Sequence, residues 1–221
     1  MKYGESAFDL FYLITAITVG ILILKKAEDR TGKLMGAAVL ILGCGDAFHL
    51  IPRVLNYFVD RDLTAALGIG KLVTSLTMTV FYVLIYYLWV CWYGETEHKA
   101  MTGFVCFLAA VRFVLCAFPQ NGWITNDSDM LWGCIRNIPF VLLGILVIVL
   151  YYKKRKEDKI FSRMWLYMLL SFLFYIPVAV FAGIIPMLGM LMLPKTICYL
   201  FMIFTFYKAA KDLNGKGTVY H

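Results

Sequence analysis

Acidic residues and histidines are scarce in this chain, and no soluble stretch is long enough to form a domain of its own. The 221 residues include 14 Asp and Glu, 21 Lys and Arg, and three histidines. So few histidines argue against a multi-histidine metal centre, and no Cys/His spacing resembles a zinc site. With 62% hydrophobic residues and a mean hydropathy of +0.77, the chain lies outside the range of ordinary soluble domains.

Long apolar stretches account for most of the chain. Each is close to the roughly 20 residues that an α-helix needs to cross a bilayer. The stretches lie at about 7–24, 34–57, 67–92, 100–118, 132–152, 162–182 and 187–207. We therefore predict an all-α integral membrane protein with seven transmembrane helices, forming a single domain over residues 1–221 of a multi-pass protein of the cell membrane.

The basic residues outside these stretches are distributed unevenly. Fourteen follow the first, third and fifth helices or lie in the tail, and only Lys2 and Arg61 fall on the other side. The positive-inside rule then places the N-terminus outside and the C-terminus in the cytoplasm. The net charge of +7 reflects this loop bias and no nucleic-acid module is recognisable, so membrane lipids are the expected partners.

Five basic side chains fall inside predicted helices, and among the carboxylates only Asp46 is expected at a comparable depth. An ionisable group costs several kcal/mol at the bilayer centre, so such residues usually face the protein interior and serve function. A basic residue close to an interface can instead reach the headgroups. Taken together, the five favour one shared pocket for an anionic ligand. They are Arg53, Lys71, Arg112, Arg136 and Lys195.

The second helix carries an acid, an imidazole and a cation on one face. Asp46, His49 and Arg53 are spaced i, i+3 and i+7, which brings them to the same side of a helix. At 1.5 Å per residue they lie roughly 16, 12 and 6 Å below the outer end. Asp46 and His49 are the candidate catalytic residues. We expect Asp46 to pair with a basic residue, most plausibly Lys195 or Arg112.

Four further helices contribute polar groups to the outer half of the predicted bundle. These side chains, together with Arg53, form the predicted ligand-binding set, and no metal ligand is predicted. Pro194 could open the seventh helix beside Lys195. The set is Lys71, Ser75 and Tyr82 on the third helix, Arg112 on the fourth, Arg136 and Asn137 on the fifth, and Lys195 on the seventh.

The second helix also resembles part of a known family. The stretch from Gly45 to Arg53 is similar to the Gly-Asp-x-x-Leu helix of the lysoplasmalogenase (YhhN-like) membrane proteins. In that family a glycine, a serine and a tyrosine follow on the next helix, where this chain has Gly68 or Gly70, Ser75 and Tyr82. The resemblance covers about 40 residues and implies that Asp46 is catalytic in cleaving a lysolipid.

Three functions remain open at this point. A binding protein or receptor for an anionic ligand, such as a phospholipid headgroup or a small carboxylate or phosphate, fits the pattern. A lysoplasmalogenase-like lipid hydrolase and a small anion or metabolite transporter are the alternatives. A lysine in the seventh helix invites comparison with retinal proteins, but the third helix has no carboxylate counter-ion, so no cofactor is predicted. The sequence leaves the oligomeric state undetermined.

Two further sequence features concern the loop between the fourth and fifth helices. Cys116 and Cys134 lie near the outer ends of neighbouring helices, where an oxidising exterior would permit a disulfide. Asn126-Asp127-Ser128 matches an N-glycosylation sequon, a triplet that is common by chance.

Overall fold

The computed structural model describes residues 2–217 except 96–98, 128 and 182–184. Within these residues the chain forms seven long helices, each apolar and long enough to cross a membrane. Their bounds are α1 Lys2–Lys26, α2 Arg30–Phe58, α3 Thr64–Tyr93, α4 Lys99–Ala117, α5 Met130–Lys153, α6 Met164–Phe181 and α7 Met192–Gly217. The prediction of an all-helical, multi-pass membrane protein is confirmed at this level.

Local sequence signals set several helix ends. Asp29 caps α2 by accepting hydrogen bonds from the Thr31 and Gly32 amides at 2.9 and 3.1 Å. Asp129 caps α5 by accepting from the Leu131 amide at 3.3 Å. A carboxylate at this position satisfies amides that have no partner inside the helix. The α3 helix ends at Gly94, whose φ of 62° suits a glycine cap.

The helices form a ring. Each helix packs on the next, and α7 closes the ring against α1 and α2. Since the connections are short, neighbouring helices run antiparallel, so α1, α3, α5 and α7 all begin at one end of the bundle. We call this the N-terminal end, and the opposite end, where α7 finishes, the C-terminal end.

The α2 and α3 helices approach each other closely through small residues. A Cβ atom on Gly70 would overlap the backbone carbonyl of Phe48, and one on Gly45 would overlap the side chain of Thr77. Thr74 adds a hydrogen bond from its hydroxyl to the Gly45 carbonyl at 3.1 Å. Small residues and hydroxyl bonds of this kind drive helix packing in membranes, and here they fix α2 and α3 as one unit.

Aromatic side chains fill the centre of the bundle towards the C-terminal end. Tyr82, Phe140 and Phe172 form a three-ring cluster with centroids 5.1–5.3 Å apart. Tyr151 lies deeper and donates a hydrogen bond to the Ile85 carbonyl at 3.2 Å. Edge and tilted ring contacts of this kind are favourable, and the cluster closes the centre of the bundle below the polar residues described next.

The loops at the C-terminal end are tied by polar contacts. Lys154 forms ion pairs with Glu95 at 2.8 Å and with Glu157 at 2.9 Å. The hydrogen bonds that Lys154 donates to Glu95 and Glu157 raise its pKa, since both carboxylates favour the charged ammonium. Trp92 donates from its indole to Asp158 at 2.8 Å, so α3 is joined to the α5–α6 connection.

Several sequence predictions need correction or fall outside the described residues. All six cysteines are free thiols, so the disulfide between Cys116 and Cys134 is not formed. Pro194 does not open α7 in mid-course, because the helix begins only at Met192 and a proline is accommodated in a first turn. A 3₁₀ segment, Pro186–Leu191, precedes it. Ser128 of the sequon and residue 182, the predicted end of the sixth helix, lie outside the described residues.

Candidate functional site: a charged cavity at the N-terminal end

A cavity of about 560 Å³ opens among α2 to α7 at the N-terminal end of the bundle. Nine of the ten predicted site residues line it. They come from five helices, and the sequence analysis grouped them by their expected depth along each helix. These residues are Asp46, His49, Arg53, Lys71, Ser75, Arg112, Arg136, Asn137 and Lys195.

Tyr82 is the predicted site residue that does not line the cavity. Its side chain is fully buried in the aromatic cluster, and its hydroxyl lies 3.4 Å from the Ser171 hydroxyl. It shares a helix face with Ser75, but it lies about two turns deeper. Tyr82 therefore belongs to the packed layer beneath the cavity.

Asp46 is held by a residue that the sequence analysis did not identify. The Tyr12 hydroxyl on α1 donates a hydrogen bond to Asp46 Oδ2 at 2.7 Å. Lys195 interacts electrostatically with the carboxylate, but within the described residues no basic nitrogen lies within the 4.0 Å of a direct ion pair with Asp46. Of the two expected partners, Lys195 faces Asp46 at longer range and Arg112 does not.

Arg112 is the most deeply buried cation of the cavity, with 2% of its surface exposed. Its guanidinium lies over the Phe140 ring, with Cζ 3.7 Å from the centroid, and Nη2 makes a long hydrogen bond of 3.4 Å to Asn137 Oδ1. Among the described residues, Nε and Nη1 make no hydrogen bond of good geometry; the Cys116 thiol interacts with the guanidinium, but a thiol sulfur is a weak acceptor. Buried charged groups normally satisfy their donors, so the guanidinium has spare donor capacity, which an acceptor reaches after a small shift of the side chain because both atoms are covered.

Two more cations lie close to Arg112. Lys195 and Arg136 both interact with it electrostatically, and we call these three residues the cation cluster. The Lys195 ammonium lies 4.8 Å from the Tyr175 ring centroid and 5.3 Å from that of Tyr199. Aromatic faces attract cations, but like charges repel one another, so a bound anion would stabilise the cluster.

The α4–α5 connection positions Arg136. Asn121, at the end of a 3₁₀ turn, accepts a hydrogen bond from Arg136 Nη1 at 2.8 Å. The amide of Asn121 in turn donates to the carbonyls of Leu115 and Phe118, each at 2.8 Å. The guanidinium of Arg136 also stacks on Trp123 at 4.4 Å. A buried asparagine and a tryptophan thus orient this cation towards the cavity.

Lys71 lies at the mouth of the cavity, where its ammonium donates to Asn126 Oδ1 at 2.7 Å. Two acidic residues of the same connection, Asp127 and Asp129, also line the cavity. Together with Asp46 they give three acidic and five basic side chains in the lining. The acids of the connection lie towards the mouth, so the excess of positive charge is greatest at the cation cluster.

Helix α1 brings acidic groups to the site, contrary to the expectation that Asp46 is the only buried carboxylate. Glu5 forms an ion pair with Arg53 and accepts a hydrogen bond from the Tyr57 hydroxyl at 3.1 Å. Asp9 is 3% exposed and interacts electrostatically with Arg53 and Asp46. Arg53 is therefore compensated by α1.

One signal in the sequence could have identified the contribution of α1. Glu5, Asp9 and Tyr12 are spaced i, i+4 and i+7, which is the spacing of a single helix face. Glu5 and Asp9 are near the start of the first apolar run, a position typical of exposed residues. Tyr175 had no comparable signal, although its hydroxyl donates to Asn137 Oδ1 at 2.8 Å.

Asp46 and His49 both line the cavity, but within the described contacts no hydrogen bond joins them. The Nδ1 atom of His49 is buried without a partner. The arrangement lacks the direct contact through which one residue would orient the other as an acid or base. Among the described residues no group of three or more His, Cys, Asp and Glu side chains is arranged to hold a metal ion.

The lining is suited to recognition of negative charge. Arg112 offers two donors, Lys195 and Arg136 add charge, and the first turn of α7 brings the positive end of a helix to the same wall through Met192 and Thr196. Compared with known proteins, the chain matches no family model, no curated protein and no solved structure.

Proposed function

We propose that this protein binds an anionic ligand in the cavity, with a phosphate or carboxylate group of the ligand against the cation cluster. The observation that carries the proposal is Arg112, which is buried and has two nitrogens without a hydrogen bond of good geometry among the described residues. Leaving such a group unpaired costs several kcal/mol. An anion that accepts from these nitrogens would recover that free energy and form charge-assisted hydrogen bonds, which are stronger than neutral ones.

Shape supports the same proposal. A volume of about 560 Å³ lies in the range of sites for small organic ligands. The mouth is framed by the α4–α5 connection, and Phe140 forms part of the floor over the aromatic cluster. These features are those of a pocket that is closed at its inner end, which favours binding over passage through the bundle.

Thermal unfolding of the detergent-purified protein tests this proposal. Inorganic phosphate and glycerol 3-phosphate are expected to raise the melting temperature, since a ligand at 100 times its Kd stabilises by about 2.7 kcal/mol, whereas glycerol has no effect. Arg136→Gln is expected to reduce the shift, and Lys159→Gln in the α5–α6 connection is the matched control. Equal shifts in both variants would assign the effect to general salt stabilisation and contradict the proposal.

The cavity is proposed to face away from the cytoplasm in the cell membrane. The basic residues concentrate at the C-terminal end of the bundle, for example in the run from Lys153 to Lys156, and such loops stay in the cytoplasm. A membrane-impermeant maleimide is expected to label an Arg61→Cys variant in intact cells, and a Lys156→Cys variant only after lysis. The opposite pattern would invert the orientation. Labelling of the wild-type protein under the same conditions gives the background from the native cysteines.

A further inference from the structure

A second, apolar depression lies beside the charged cavity on the flank of the bundle. It has a volume of about 290 Å³ and runs between α5 and α6. We call it the side groove. The residues that line it alone are Cys134, Ile138, Val141, Leu142 and Ile176.

The side groove faces the surroundings of the bundle. Ile138 is 57% exposed, Leu142 45% and Ile176 39%. In a chain whose helices are long and apolar enough to cross a membrane, such a surface contacts hydrocarbon. From Cys134 to Leu142 the groove follows α5 for about 12 Å.

The side groove and the cavity share a wall that is one side chain thick. Four residues line both spaces, namely Asn137, Tyr175, Ala179 and Val180. The polar part of this wall is the hydrogen bond from Tyr175 to Asn137 at 2.8 Å, and Asn137 also contacts Arg112. On the α6 side the wall is thin at Ala179, because the side chain of this residue is a single methyl group.

Both helices beside this wall carry a proline. Pro139 lies within α5 and Pro177 within α6. A proline cannot donate to the carbonyl four residues earlier, and the missing hydrogen bond weakens the helix at that point. Each of the two helices that border the groove therefore has a point at which it bends at lower cost, although neither proline lines the groove itself.

We infer that the ligand is an amphiphile that enters from the bilayer between α5 and α6, with its anionic head at the cation cluster and its hydrocarbon chain in the side groove. The inference rests on the proposed function, since the cation cluster holds the head. Its own support is the contact between a charged cavity and a membrane-facing groove across Asn137 and Tyr175. A purely water-soluble anion would leave the apolar groove unoccupied.

Cys134 gives a direct readout, because it is a free, half-buried thiol in the side groove. The full-length protein in phosphatidylcholine nanodiscs is treated with a membrane-permeant maleimide, and alkylation is followed by peptide mass spectrometry. Three probes are compared. Oleoyl-lysophosphatidic acid has both head and chain, oleoyl-lysophosphatidylcholine has the chain without net charge, and glycerol 3-phosphate has the head alone.

Lysophosphatidic acid is expected to slow alkylation of Cys134 about tenfold at ten times its Kd, when about nine-tenths of the sites are filled. The other two probes are expected to leave the rate unchanged. Cys106, an exposed thiol on α4, should react at the same rate throughout. If Arg136→Gln abolishes the protection, binding of the hydrocarbon chain in the groove depends on binding of the anionic head in the cavity.

Filling the groove provides the second test. Val141→Phe, at a residue that lines the groove and not the cavity, is expected to weaken binding of lysophosphatidic acid about tenfold, close to the loss of two buried methylenes, and to leave glycerol 3-phosphate binding within a factor of two. Ile145→Phe, which adds the same ring to α5 outside the groove, is the control and should change neither affinity.

The outcomes separate the two proposals. If glycerol 3-phosphate binds in the cavity and Cys134 is never protected, the lipid inference is overturned and the proposed function stands. If no phosphate-bearing probe binds, both fail. Equal protection by lysophosphatidylcholine would show that the groove takes a chain without help from the cation cluster, which also overturns the inference.

Discussion

Arg112→Met is expected to weaken phosphate binding by roughly 100-fold or more, about 3 kcal/mol, and to raise the melting temperature of the ligand-free protein. Both effects have one cause. Arg112 is 2% exposed and lies on Phe140, so it bears the cost of a buried charge without a full set of partners. A hydrophobic side chain of similar length removes that cost, and such replacements are often neutral or stabilising by 1–4 kcal/mol.

The measurement is thermal unfolding with and without glycerol 3-phosphate, together with calorimetric titration. The control is Arg163→Met, the same substitution at an exposed residue directly before α6, which is expected to alter neither binding nor stability. A lower melting temperature for Arg112→Met in the absence of ligand, with phosphate affinity retained, would assign Arg112 to the architecture of the bundle. The proposed function would then lose its main support.

Asp46→Asn is expected to destabilise the ligand-free protein by about 1 to 2 kcal/mol, less than the roughly 3 kcal/mol or more for breaking a direct buried ion pair, since Lys195 faces Asp46 at longer range. The substitution keeps the size of the side chain and an oxygen that can accept from Tyr12, so the loss is mainly one of charge. It leaves Lys195 without the carboxylate with which it interacts. A bound anion is therefore expected to stabilise the variant against unfolding more than it stabilises the wild-type protein.

Two comparisons make this prediction specific. Adding Lys195→Met to Asp46→Asn is expected to restore most of the lost stability, and the double-mutant cycle measures the coupling of the two residues. Phosphate is expected to raise the melting temperature of Asp46→Asn more than that of the wild-type protein. Asp60→Asn, in the exposed α2–α3 connection, is the control. Additive effects of Asp46 and Lys195 would show that they do not compensate each other.

The seven spans could be predicted because each apolar run is continuous and long enough to cross a bilayer. Grouping Arg112 with Lys195 was also within reach, since depth along a helix follows from the constant rise per residue. Tyr82 shows the limit of that reasoning. It lies on nearly the same face as Ser75, yet the rings of Phe140 and Phe172 pack around it, and helix periodicity carries no information about such packing.

The acidic contribution of α1 shows a different limit. A carboxylate near the start of a hydrophobic run is ordinarily solvated, so the shared helix face of Glu5 and Asp9 did not by itself indicate which residues they contact. Their position is set by how α1 packs on α2, which brings Glu5 to Arg53 and Tyr12 to Asp46. Contacts between residues 34 and 48 positions apart depend on the fold as a whole, and one helix at a time does not reveal them.

The separation of charge between the two halves of the ring has a consequence for the way in which a ligand lies. The deep carboxylates, Asp9 and Asp46, come from α1 and α2, and the cation cluster comes from α4, α5 and α7. The electric field at this depth therefore points sideways across the bundle, at right angles to the helix axes. A molecule with its own dipole would be turned so that its negative end points towards α4 and α5, before any hydrogen bond selects its final position.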